Sequence, residues 1–202
     1  AGIPAPWQQP LQVRINGVDH ALNTTRMYGS YASKESYSSD FAARAFPDDP
    51  DGNLYIVHYT DYPYNTNSSA GGNLDYRGTN PDAYRMNYFK QSNVAQDDWS
   101  DLIHLTRVLD AANPAGISDA DFLTEAAKVI NVEQWFRFIA ADTILGNREG
   151  GLYSGQGDDF GLYRGVNDPR FVLVPWDTDT LTVFNGSSEN PYTRSVLAGY
   201  QD

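Results

Sequence analysis

One short segment near the end of the chain limits the folds that are available to it. Phe171-Val-Leu-Val174 is apolar at every position, so a strand here presents apolar side chains on both faces and has to be buried on both. Residues 159–164 precede it, and the intervening Gly165-Val-Asn-Asp-Pro169 is a strong turn signal. The pattern therefore predicts an antiparallel hairpin whose second strand lies in the core.

The second half of the chain also carries three helical patterns. Asp98 is placed to cap the first helix, and Ser118 followed by Asp121 resembles a capping box before the second. In the third pattern, apolar side chains recur at helical spacing between Asn131, a capping residue, and Gly146, a typical residue after a helix. This third segment has the most regular periodicity of the chain.

The first 60 residues are typical of strands and turns. Leu11–Ile15 alternates apolar and polar residues and ends at Asn16-Gly17, a frequent hairpin turn. Residues 54–57 form a short apolar strand, and a short helix is predicted around Asp40–Ala45. Residues 61–96 are rich in Asn, Ser, Gly and Tyr, and their composition predicts a long polar loop.

Charge and composition exclude several classes of partner. The chain has 26 acidic against 14 basic residues and a formal net charge of −12, which argues against nucleic acids and anionic membranes as partners. No stretch approaches the ~20 apolar residues of a membrane span, and there is no cysteine for disulfides or thiolate sites. The N-terminal AGIPAPWQQP has neither an initiator Met nor the pattern of a signal peptide, so we expect a mature or excised piece of a longer protein.

Acidic residues are expected to gather at the open end of the predicted hairpin. Residues equidistant from an antiparallel turn lie opposite each other, so Asp158 and Asp159 should meet Asp177 and Asp179, and Glu149 is close enough in sequence to join them. Such crowding raises carboxylate pKa values unless a cation neutralises it, and hard oxygen ligands suit Mg²⁺, Mn²⁺ or Ca²⁺. The same residues also fit a solvated acidic rim, so both interpretations stay open.

Three segments in this region resemble the spore-coat protein H (CotH) kinase family. They are Trp135-Phe-Arg-Phe-Ile-Ala-Ala-Asp142-Thr-Ile-Leu-Gly-Asn147-Arg-Glu149, Asp159-Phe-Gly-Leu-Tyr163 and Val174-Pro-Trp-Asp177-Thr-Asp179. The Pro-Trp-Asp-x-Asp turn is the most specific of them. Weaker matches follow in the family's order: Val13-x-x-Asn16-Gly17, Tyr31-x-x-x-Glu35, Gly52-Asn-Leu-Tyr55, Tyr76-Arg-Gly78 and Asp98-Trp99-x-x-Leu102.

The resemblance implies an α+β, protein-kinase-like fold of CotH type over residues 1–202. Residues 1–60 would be remnant strands of a partial N-lobe sheet, residues 61–96 the polar loop, and residues 97–202 a helical C-lobe carrying a metal-site β-hairpin. Members of the family are secreted or lie at the cell surface. They transfer phosphate from ATP, with Mg²⁺ or Mn²⁺, to Ser or Thr of coat or other extracellular proteins, so a protein substrate or assembly partner at the surface is expected.

The resemblance also implies roles for five residues. Asp177 corresponds to the metal-binding Asp of the Pro-Trp-Asp turn, and Asp179 to an accessory ligand. Glu149 takes the place of the catalytic Asp, Asp159 that of the Asn for the second metal, and Glu35 that of a Glu that helps to position the N-lobe around the cofactor.

Departures from the family pattern leave two other functions open. Glu149 is one methylene longer than Asp, and a misplacement of roughly 1 Å can cost about 10²-fold in rate. Ile56 stands where the family has a phosphate-binding Lys, Asp159 adds a charge, and the family's earlier basic segment is not in this sequence. A pseudokinase acting as a structural or binding module of a surface assembly is therefore one alternative. A Ca²⁺-stabilised adhesion domain is the other.

Overall fold

The computed structural model describes residues 2–19, 30–58, 71–147, 152 and 158–178. Within these ranges the chain has a mixed α/β fold of short helices and antiparallel strands. The strands are β1 (Gln8–Gln12), β2 (Arg14–Ile15), β3 (Val18–Asp19), β4 (Ser30–Lys34), β5 (Asn53–Val57), β6 (Tyr88–Lys90), β7 (Phe160–Arg164) and β8 (Val172–Pro175). The helices are α1 (Ser39–Ala45), α2 (Asp82–Arg85), α3 (Ser100–Leu109), α4 (Phe122–Val129) and α5 (Val132–Leu145), with a 3₁₀ turn at Val94–Gln96.

The largest sheet has four antiparallel strands in the order β6-β5-β7-β8. Its β7–β8 pair agrees with the hairpin that the sequence predicts, with Phe160 opposite Pro175 and Tyr163 opposite Val172. The carboxylate of Asp49 holds the connecting turn, because it accepts hydrogen bonds from backbone N–H groups within residues 166–168. The hairpin is therefore fixed at its closed end by a residue distant in sequence.

Strand β8 is buried on both faces, as its apolar sequence predicts. Leu173 packs into a cluster with residues of α3 and α5, whereas Val174 packs on the opposite face with Tyr37 and Phe41 beside α1. Gln134 of α5 adds a paired contact, since its side-chain amide exchanges hydrogen bonds of 2.7 and 2.8 Å with the backbone of Leu173. These contacts lock the longest described helix onto the edge of the sheet.

The ends of α5 follow the sequence signals. Asn131 accepts a hydrogen bond from the backbone N–H of Gln134 at 3.2 Å, and Gly146 has the left-handed φ of 67° that favours glycine after a helix. Asp98 was predicted to cap α3, but the N-cap residue is Trp99; the Asp98 carboxylate lies one residue earlier and accepts from the backbone N–H of Ser100. The predicted capping box before α4 instead closes a turn there, and the helix begins only at Phe122.

The prediction of a single polar loop over residues 61–96 is wrong for the part that the structure describes. Residues from 71 onward include α2 and β6, and β6 is an edge strand of the main sheet. Tyr84 and Tyr88 are fully buried there, and the Tyr88 hydroxyl accepts from the backbone N–H of Leu74 at 2.9 Å. The polar composition concealed these elements because a few buried tyrosines anchor the segment.

One prediction for the first 60 residues is also corrected. Leu11–Ile15 is not one strand, because β1 pairs with β4 while β2 turns through Asn16-Gly17 to pair with β3. Strand β5 pairs with β7, so it belongs to the same sheet as the hairpin. The short helix predicted at 40–45 is α1, which Ser38 caps through its hydroxyl. No helix in the described ranges has the length and apolar character to cross a membrane.

Candidate functional site

Strands β5 and β8 end, and strand β7 begins, at the same end of the main sheet. Phe160 lies between Val57 and Pro175 in the register, so the residues that follow β8 emerge beside those that precede β7. This register places Asp159 and Asp177 at one end of the sheet, just outside the neighbouring strands β7 and β8. The predicted approach of the two segments therefore agrees with the fold, while their role toward a metal stays a prediction.

Both aspartates have an uncommon backbone conformation. Asp159 has a φ of 57° and Asp177 a φ of 42°. Both values lie in the left-handed region, which residues other than Gly, Asn and Asp rarely adopt. Such residues are frequent at functional sites, where the surrounding structure holds them. Asp159 directly precedes β7, Asp177 lies two residues after β8, and Asp177 is exposed to solvent.

An open pocket of about 320 Å³ lies beside this end of the sheet. Its walls are Lys34, Glu35, Ser36, Tyr37, Ile56, Gln91 and Trp176. Trp176 directly precedes Asp177, so the pocket adjoins the backbone that carries this carboxylate. A cleft with aromatic walls and a few polar side chains is typical of a small-molecule site.

The aromatic wall of the pocket is built from two rings. Tyr37 meets Trp176 edge to face, with ring centroids 5.1 Å apart, and its hydroxyl donates to the backbone carbonyl of Pro175. Burial raises the pKa of Tyr37, so the phenol stays protonated and able to donate. The hydrogen bond ties the start of the α1 segment to the end of β8.

Lys34 lies over these rings at the end of β4. Its ammonium is 4.2 Å from the centroid of the Trp176 ring and 5.4 Å from that of Tyr37, within the range of cation–π attraction. Strand β4 thereby contributes a positive charge to the lining of the pocket.

Glu35 has a well-defined set of partners. Its carboxylate accepts from Arg44 Nε at 2.7 Å and from the backbone N–H of Trp7 at 3.1 Å. The hydrogen bonds from Arg44 lower the pKa of Glu35, so the group is ionised at neutral pH. Glu35 therefore joins β4, α1 and the N-terminal segment, and its predicted role toward a cofactor stays a prediction.

The end of α5 leads toward the predicted catalytic residue. Asn147 and Asp142 are buried, and Asn147 Nδ2 donates to Asp142 Oδ1 at 2.8 Å. The pair fixes Asn147, the second residue after the end of the helix. Glu149 and Asp179 themselves lie outside the described residues.

The described residues contain no group of three or more His, Cys, Asp or Glu side chains that could hold a metal ion. Of the three predicted metal ligands, Asp159 and Asp177 lie within the described residues and Asp179 lies outside them. Mg²⁺ in phosphoryl-transfer sites is commonly held by one or two carboxylates together with substrate phosphates and water. The oxygen donors present fit that pattern.

Sequence reasoning missed most of the pocket. Lys34 has no recognisable partner motif in the sequence, and Tyr37 and Gln91 lie on segments far from the acidic residues. Three of the lining residues were singled out from the sequence: Trp176 in the Pro-Trp-Asp-x-Asp turn, Glu35 and Ile56. The other walls come together only through the packing of β4 and α1 against the end of β8.

The sequence of the chain matches a known protein family over nearly its whole length. The family model described as CotH kinase protein matches residues 1–194 of the 202. The chain belongs to the CotH kinase family. A comparison with curated proteins gave no match. The family assignment spans the pocket, the β7–β8 hairpin and α5, and it supports a kinase-like domain.

Proposed function

We propose that this CotH-family chain is a metal-dependent protein kinase domain that transfers phosphate from ATP to Ser or Thr of surface or coat proteins. The observation that carries the proposal is the pocket that adjoins Asp177 at the end of the hairpin. Its aromatic walls suit a nucleobase, since aromatic side chains stack on bases. The exposed carboxylate beside it suits a cation that accompanies phosphate.

The division of roles among the carboxylates follows the resemblance to the CotH kinase family. Asp177 and Asp159 would hold Mg²⁺ or Mn²⁺, with Asp179 as an accessory ligand. Bound metal neutralises charge on the phosphates during transfer. Glu149 would orient the attacking hydroxyl and accept its proton, while the γ-phosphoryl group moves to the substrate oxygen and ADP leaves.

One observation favours a second candidate, a pseudokinase that binds partners in a surface assembly. Ile56 is only 3% exposed in the centre of β5 and lies on the pocket wall, so the position that bears Lys in the family offers no charge here. A kinase without this cation binds phosphate less firmly. Measured transfer distinguishes the two candidates, because a pseudokinase retains the fold and loses the reaction.

A phosphotransfer assay tests the proposal directly. Radiolabelled γ-phosphate from ATP is followed into protein, with Mg²⁺, Mn²⁺ or Ca²⁺, for the wild type and Asp177→Asn. Asparagine tolerates the left-handed backbone of position 177, so the variant removes the charge with little strain. Asp119→Asn is the matched control, since Asp119 is exposed in the loop before α4.

Incorporation that requires Mg²⁺ or Mn²⁺ and is lost in Asp177→Asn alone supports the kinase. No incorporation by the folded wild type with any of the three metals contradicts it and favours the pseudokinase. Stabilisation by Ca²⁺ without any response to ATP favours an adhesion domain instead.

A further inference from the structure

Lys34 is the feature of the pocket that the family roles do not account for. Its ammonium lies over Trp176 and Tyr37, at the pocket mouth. No carboxylate among the described residues forms an ion pair with it. The neighbouring acid, Glu35, is already engaged by Arg44.

Lys34 is one of the described cations without an ion-pair partner, in a chain with a net charge of −12. Several other described cations are neutralised by a carboxylate, among them Arg44 by Glu35 and Arg170 by Asp168. The Lys34 charge is held by aromatic faces, which attract a cation without neutralising it. A lysine in this position keeps its charge available to an anion that enters the pocket.

We propose that Lys34 binds the phosphate oxygens of the nucleotide and so supplies the positive charge that Ile56 does not. The inference rests on the proposed function, because it assigns a phosphate contact in the same pocket. Both residues line this pocket, Lys34 from the end of β4 and Ile56 from the middle of β5. The lysine is a compact charge on a flexible four-carbon stem, so it can leave the rings and reach a phosphate nearby.

Binding of three probes separates the phosphate contact from the rest of the site. The probes are inorganic tripolyphosphate, adenosine and ATP with Mg²⁺, each titrated calorimetrically into the wild type, Lys34→Gln and Lys34→Arg. The control is Lys128→Gln, which removes the same charge from the exposed pair with Glu125 on α4. A thermal melt of each variant verifies folding.

We expect Lys34→Gln to bind tripolyphosphate and ATP about 10-fold more weakly, which corresponds to about 1.4 kcal/mol. Adenosine affinity should stay unchanged, Lys34→Arg should retain most of the phosphate affinity, and Lys128→Gln should match the wild type. An ATP affinity that is equal in Lys34→Gln and the wild type overturns the inference and leaves the kinase proposal standing.

The remaining outcomes are also decisive. Equal losses in Lys34→Gln and Lys128→Gln would trace the effect to net charge and overturn the inference. A folded wild type that binds tripolyphosphate through Lys34 but does not bind ATP contradicts the kinase proposal and retains a Lys34 anion site. A wild type that binds neither probe contradicts both.

Discussion

The Asp49 carboxylate offers a quantitative test of how the hairpin is held. Its oxygens accept from the backbone N–H groups of Val166 at 2.9 Å, Asn167 at 3.0 Å and Asp168 at 2.9 Å. The seat is tight, because a Cβ placed on Gly165 would lie 1.8 Å from Asp49 Oδ2. Replacing Asp49 by Ala removes all of these acceptors from the turn at once.

The expected loss is about 2 kcal/mol. A hydrogen bond to a charged group contributes roughly 1.5–3 kcal/mol when it is well shielded. These bonds are partly exposed, so water competes for each N–H group and we assign about 0.7 kcal/mol to each bond. For a chain of this size, about 2 kcal/mol lowers the melting temperature by roughly 4–8 °C.

Thermal melting followed by circular dichroism measures the effect. Asp48→Ala is the matched control, since Asp48 is the exposed neighbour and its contact with the turn is made by the backbone carbonyl. A melting temperature for Asp49→Ala equal to that of Asp48→Ala would refute the argument that this carboxylate holds the turn.

The same carboxylate predicts a pH dependence. Desolvation acts to raise the pKa of Asp49, but hydrogen bonds from the backbone N–H groups of Asp168, Asn167 and Val166 outweigh it, so the pKa lies below its ordinary value. A carboxyl with a lowered folded-state pKa stabilises the fold above its unfolded pKa, and this stability is lost as the pH falls through the folded pKa. The difference in stability between wild type and Asp49→Ala should therefore shrink in acid. A difference independent of pH down to about pH 3 contradicts the assignment.

Three further substitutions test the core and caps in urea titrations. Asn131→Ala should cost about 1 kcal/mol through loss of the α5 cap, and an unchanged midpoint would contradict that role. Gln134→Ala should lower the free energy of unfolding by about 2–4 kcal/mol, because it leaves the backbone N–H and carbonyl of Leu173 buried without these side-chain partners. A smaller loss than that of Asn131→Ala would contradict this role of Gln134. Tyr88→Phe should cost about 1–2 kcal/mol by removing the acceptor for Leu74 N–H, and hydrogen exchange at Leu74 should speed up. Unchanged exchange there would refute the contact.

Local sequence signals explain why part of the fold was predictable. Residues 165–169 of the β7–β8 hairpin are typical turn residues, and α5 has a capping residue at each end. Both elements are therefore specified by residues adjacent in sequence. Segment 71–96 was not predictable in this way, because its α2 and β6 are held by Tyr84 and Tyr88. These two side chains pack in a core formed with residues of other elements. The split of Leu11–Ile15 likewise depends on two different partner strands.

The same distinction applies to the candidate site. The Pro-Trp-Asp-x-Asp turn carries its own signal, and strand register alone places Asp159 and Asp177 at one end of the sheet. The pocket beside them depends on contacts between distant segments, such as the hydrogen bond from Tyr37 to Pro175 and the position of Lys34 over Trp176. Such contacts leave no spacing pattern in the sequence.

We propose that Asp177 belongs to a metal-dependent nucleotide site. Calorimetric titration of ATP into the wild type and Asp177→Asn, with and without Mg²⁺, tests it most directly. We predict binding that requires Mg²⁺ and that weakens by at least about 10-fold in the variant, since loss of a residue that only supports a metal ligand already costs about 10–100-fold. ATP binding of equal strength in both proteins, or no binding to the folded wild type with Mg²⁺ present, would contradict the account.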